Sequence, residues 1–153
     1  MTFVALLGSG LVAGIFFASS TFVLRALGQL PEKSGVRAMQ AINITVLNPW
    51  FLGAFFGTGV VCIALVIVAL GQAIGVPLIL TLVGSGLYLI GCLLVTIAFN
   101  VPLNNRLAAV EAHEEDAAEF WTHYLARWTR WNHVRTAAPL AAAALFALAL
   151  RWG

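Results

Sequence analysis

Apolar and polar positions segregate along this chain into long blocks. Phe3 to Leu24 is one run without a charge, Phe51 to Leu70 is a second, and Val76 to Phe99 is a third. Each supplies the about 20 mostly apolar residues that a helix needs to cross a bilayer. A fourth run, between Arg135 and Arg151, holds only 15 residues. That is about 22 Å of helix, short of a hydrocarbon core of about 30 Å. It spans if its helix begins earlier, near Trp128, with Arg135 snorkelling or turned toward protein. The pattern predicts an all-α fold: a four-transmembrane-helix bundle forming one integral membrane domain over residues 1–153, with spans at about 3–24, 51–70, 76–99 and 131–150. The first run is read as a membrane helix, not a cleaved leader, because no Lys or Arg precedes Phe3 and the run exceeds a usual leader core.

The connections carry their own signals. Pro31 to Leu47 is amphipathic, with Pro31 and Glu32 suited to a helix start and Met39, Ile42 and Val46 forming an apolar stripe beside Gln40 and Asn43. Amphipathic helices are therefore expected at the interface in the 1–2 and 3–4 connections. Asn48-Pro49 reads as an N-cap with Pro at the first helical position, and Pro102 as a stop just past the third span. Gly71 to Gly75 is short and uncharged, which predicts a tight turn.

Composition narrows the class. Of 153 residues, 61% are hydrophobic and only 14 are charged, 8 basic and 6 acidic. A soluble globule would have little with which to dress its surface, and a disordered chain needs the opposite composition. A net charge of +2 supplies no basic stripe for nucleic acid. The distribution says more than the total. Thirteen charges fall in 25–37 and 106–135, and the last is Arg151. Seven of the eight basic residues thus share one side of the bundle. This predicts cytoplasmic polar connections with both termini outside. Cys62 and Cys92, inside spans, read as buried free thiols.

The polar residues crowd the same end. All six asparagines (Asn43, Asn48, Asn100, Asn104, Asn105 and Asn132) belong there, which fits either capping or the lining of a pocket. Glu119 to Arg135 is the richest segment. On a helix at about 100° per residue, Trp121, Tyr124, Trp128, Trp131, Asn132 and Arg135 fall within about 100° of one another. Glu119, His123 and His133 face the opposite way. The stripe fits an interfacial aromatic belt or the wall of a site for a flat, oxygen-bearing aromatic ligand. Glu119 and His123, four apart, are the pair that a metal could use, with a third ligand from Glu111, His113, Glu114 or Glu115. No HExxH or CxxC supports that, and haem ligation among His113, His123 and His133 is disfavoured by their surface position. The GxxxG pairs Gly10/Gly14 and Gly53/Gly57 fit packing within the chain or a homo-oligomer.

Three segments carry a family resemblance: Met39-Gln40-Ala41-Ile42-Asn43 leading to Asn48-Pro49, Phe99-Asn100-Val101-Pro102-Leu103-Asn104, and Trp128 through Trp131-Asn132-His133-Val134-Arg135-Thr136. Together they resemble the anthrone-oxygenase-like family of small four-helix membrane proteins. The resemblance implies oxidation of a flat polyphenolic or hydroquinone-like substrate drawn from the bilayer, with dioxygen as co-substrate and no flavin or haem. It implies that Arg135, Asn132 and Asn104 hold an enolate oxygen while Trp121, Trp128 and Trp131 stack on the rings. Asn43, Asn48, Asn100 and Tyr124 complete the expected binding set. His133 is the first candidate for the base, provided the last helix begins afresh near Trp131 and turns it inward. Two other classes stay open: a non-enzymatic binder of a lipid-soluble ligand or accessory subunit, and a metal- or haem-dependent redox protein.

Overall fold

The computed structural model describes residues 1–110 and 117–152. Among these it is all helical, with five helices: α1 Thr2–Leu27, α2 Glu32–Thr45, α3 Pro49–Ala69, α4 Val76–Ala109 and α5 Ala117–Trp152. Four of them, all but α2, are long and apolar enough to cross a membrane. The chain has the character of an integral membrane protein. α5 packs on α1 and α4, and α3 packs on the same two, so α3 and α5 stand diagonally across a four-cornered bundle. α2 is the short amphipathic helix of the first connection and touches the head of the bundle at α4 and α5.

Local chemistry explains the α3 start. The Asn48 side chain accepts hydrogen bonds from the backbone N–H groups of Trp50 (3.1 Å) and Phe51 (3.0 Å), and Pro49 occupies the first turn, where no N–H is needed. Pro102, expected to stop the third span, does not. α4 runs through it to Ala109. The helix widens into π geometry at Leu87–Leu94 and again at Thr96–Asn100, immediately before the proline. Such turns rearrange the carbonyls that a proline ring would strike and that it cannot bond.

The fourth span also differs from expectation. The stripe segment 119–135 and the apolar run that follows belong to one 36-residue helix, not to an interfacial helix and a separate span. The helix is about 54 Å long, well beyond a hydrocarbon core of about 30 Å. Its N-terminal third, the end of α4 and α2 form a head projecting from the bundle.

Two apolar clusters divide the interior. Val12, Phe16, Phe55, Cys62, Tyr88, Cys92 and Phe146 belong to the one between the spans. Leu27, Val36, Met39, Leu107, Trp121, Tyr124 and Trp128 belong to the one in the head. Close helix contacts use glycines other than the two GxxxG pairs. A Cβ at Gly35 would meet the Leu27 carbonyl at 2.9 Å and the Trp121 ring at 3.0 Å. Gly10, Gly14, Gly53 and Gly57 have open space beside them, so neither pair packs within this chain.

Candidate functional site

Arg135 stands at the midpoint of α5 and at the seam between the two clusters. It is 4% exposed. A buried cation is costly unless its donors and charge are met. Here Nε donates to Asn132 Oδ1 at 2.9 Å, and Nη1 reaches Thr96 Oγ1 at 3.4 Å. The guanidinium lies over two rings, Phe16 at 4.3 Å and Trp128 at 4.6 Å. Desolvated cation–ring contacts contribute up to about 2 kcal/mol each. Neither ring carries a negative charge, and no carboxylate joins the group among the described residues. The positive charge is solvated by dipoles and rings and meets no counter-ion among the described residues.

Asn132 fixes this arrangement. Its amide nitrogen donates to the Phe16 carbonyl at 2.6 Å and to the Ser20 hydroxyl, so its oxygen is the end presented to Arg135. Ser20 belongs to a third widened segment, Ser19–Val23 in α1, and Thr96 to Thr96–Asn100, the later of the two in α4. Both hydroxyl partners thus sit where the helix departs from α geometry, a recurrent feature of functional sites.

Arg135 lines a cavity of about 550 Å³, a size suited to a small organic molecule. Phe16, Phe51, Phe55 and Phe56 form one apolar wall. Phe51 and Phe55 are stacked, with centroids 5.6 Å apart, and Phe16 meets Phe55 edge-on at 6.1 Å. Trp128 forms part of another wall. The polar lining includes Arg135, Asn43, Asn104, Gln40 and Thr96, and among the described residues no carboxylate or imidazole joins it. Asn104 Oδ1 accepts from both the Tyr124 hydroxyl and Trp128 Nε1, each at 2.9 Å. With its oxygen doubly engaged, Asn104 has its amide N–H groups left to offer. Asn43 Nδ2 is buried beside the Tyr124 hydroxyl and completes no hydrogen bond of good geometry among the described residues; a buried donor left unmet costs about 1–3 kcal/mol in a folded protein. The cavity therefore presents donors and a positive charge.

The stripe divides into distinct roles. Trp121, Tyr124, Trp128, Asn132 and Arg135 are all buried, but only Trp128 and Arg135 line the cavity. Trp121 stacks on Tyr124 at 5.7 Å behind Asn104. Trp131 stacks on Phe99 at 3.7 Å, away from the cavity lining. Asn48 is spent as the α3 cap. Asn100 is fully buried and donates to the Trp128 carbonyl at 3.3 Å, outside the lining. His133 is exposed and stays so because α5 does not restart near Trp131, and it borders a different groove. Glu119 and His123 are also exposed, and no three metal-binding side chains gather among the described residues. Glu111, His113, Glu114 and Glu115 lie outside them. Phe16, Ser20 and Thr96 are site residues that the sequence pattern did not single out. The two hydroxyls leave a faint signal as polar breaks in apolar spans, whereas Phe16 leaves none.

The family model described as anthrone oxygenase matches residues 50–145, more than half of the chain. No curated protein and no solved structure matches it.

Proposed function

Because this chain belongs to the anthrone oxygenase family, we propose that its cavity binds a flat polyphenolic molecule as the anion and promotes the reaction of that anion with dioxygen. The observation that carries this reading is the buried Arg135 charge, with no counter-ion among the described residues, facing a ring-lined cavity whose other polar groups include the amides of Asn43 and Asn104. A planar aromatic anion matches each feature. Its faces meet Phe51, Phe55 and Trp128, and its oxygen takes the donors.

The chemistry balances without a further oxidant. The methylene between the two aromatic rings of an anthrone loses a proton, leaving an enolate whose charge rests on the carbonyl oxygen. Arg135 stabilises that oxyanion, and the proton leaves to solvent. The electron-rich carbon gives one electron to dioxygen, and the resulting radical pair joins to form a carbon–oxygen bond. Protonation gives a hydroperoxide. Loss of the second methylene proton with cleavage of the O–O bond expels water and leaves the quinone carbonyl. Anthrone and dioxygen thus become quinone and water. The protein contributes orientation, oxyanion stabilisation and an apolar enclosure. Removing a single oxyanion donor typically slows turnover about 10²–10³-fold.

Oxygen uptake and quinone absorbance with purified protein and a hydroxylated anthrone test the reading. Acceleration over buffer that is lost in Arg135→Ala supports it. A wild-type protein that binds the anthrone yet leaves its oxidation rate at the buffer value would make the chain a binder of such molecules, not an oxygenase.

A further inference from the structure

A second feature lies outside the cavity, on the face where α1 meets the N-terminal half of α5. A groove there is bordered by Arg25, Gln29, Arg130 and His133, with Gly28 and Leu125 in contact with it. A Cβ at Gly28 would meet Leu125 at 3.3 Å, so the notch between the helices depends on the glycine. The two arginines come from different helices and line one opening, and no carboxylate among the described residues borders it. The oxygenase reading uses none of these side chains.

Helix rise places the groove against the bilayer. Arg130 lies 22 residues before Trp152, the last described residue of α5, and Arg25 lies 23 residues after Thr2, the first of α1. At about 1.5 Å per residue both arginines come out about 33–35 Å from the far ends of their helices. A hydrocarbon core is about 30 Å thick and the whole bilayer about 40–45 Å. Two helices running in opposite directions thus deliver their arginines to the same depth, the layer of lipid phosphates. Basic pockets between membrane helices at this level suit anionic head groups.

We propose that this groove is a binding site for the phosphate of an anionic phospholipid. Arg25 and Arg130 grip the phosphate oxygens from two sides, Gln29 donates an amide N–H, and the apolar floor at Leu125 accepts the start of an acyl chain. The site is independent of Arg135 and of any turnover.

Native mass spectrometry of the full chain in mixed micelles tests it, with phosphatidylglycerol or phosphatidylcholine as probe. Phosphatidylglycerol should be retained roughly tenfold more than phosphatidylcholine. R25Q/R130Q should lose that preference, whereas K33Q/R127Q, which removes the same charge elsewhere, should keep it. R25K/R130K, with unaltered melting, guards against loss through misfolding and should restore most of the preference. Equal retention of the two lipids, or equal losses in the two glutamine double variants, overturns the proposal. Displacement of the lipid by inorganic phosphate would make a soluble phosphate the ligand and would overturn it as well.

Discussion

Asn132 Oδ1 accepts from Arg135 Nε at 2.9 Å, one turn back along the same helix. The other end of the Asn132 amide is held by the Phe16 carbonyl and the Ser20 hydroxyl. Helix α1 thus sets the orientation of an amide on α5, and the amide sets the arginine. Asn132→Leu should leave Nε without its acceptor and cost about 1.5–3 kcal/mol of stability, the range for hydrogen bonds to charged groups. Turnover should fall further than stability alone explains, about 10²-fold, because a reacting group displaced by about 1 Å loses that much. Thermal melting and steady-state kinetics on the same preparation check both numbers.

Asn104 offers a sharper separation of folding from binding. Its oxygen satisfies Tyr124 and Trp128. Asn104→Leu orphans two buried donors and should destabilise the head by about 1–3 kcal/mol for each. Asn104→Asp keeps an acceptor for both and should melt close to the wild type. It also places a carboxylate in the cavity with Arg135, and should therefore abolish binding of an anionic ligand. Retained binding in a well-folded Asn104→Asp protein would contradict the anion reading.

Asn43 should behave in the opposite sense. Its buried Nδ2 completes no hydrogen bond of good geometry among the described residues and has only the Tyr124 hydroxyl beside it. Asn43→Leu removes that unmet donor and should raise stability by about 1–3 kcal/mol, while weakening ligand binding. Melting temperature and ligand affinity moving in opposite directions is the signature of a group held for a ligand.

The glycine contacts separate packing from chance. Gly35→Ala drives a methyl into the Leu27 carbonyl and the Trp121 ring, and overpacking of that kind costs about 1–3 kcal/mol. Gly10→Ala and Gly14→Ala meet nothing within 4 Å and should leave monomer stability unchanged or slightly raised. Thermal melts of the three variants in one detergent give the comparison.

What was legible in the sequence follows from how local each cause is. The α3 start was readable because Asn48 and Pro49 act within three residues. The shared face of Trp121, Tyr124, Trp128, Asn132 and Arg135 was readable because they recur at the helical period and a continuous helix keeps that period, whereas the burial of that face, as against an interfacial belt, was not. The division of labour within the stripe was not. Trp131 turns to Phe99 and Trp121 to Gly35, partners supplied by other helices and unrelated to spacing. Pro102 misled because a proline normally ends a helix, and nothing in the local composition announces the widened turn that carries the chain past it. Phe16 could not be singled out among ten phenylalanines. Only the fold brings it under a guanidinium more than a hundred residues away.

The central claim is that Arg135 holds the ligand as its anion. The most direct measurement is the ionisation of a bound hydroxyanthraquinone, followed by its change of colour with pH in wild-type protein and in Arg135→Gln. The account predicts that the bound phenol ionises at a lower pH than the free one, because the cavity stabilises the charged form, and that this displacement disappears in Arg135→Gln while the ligand still binds in its neutral state. A bound ligand that ionises at the same pH as in water, or that shifts equally in both proteins, would contradict it.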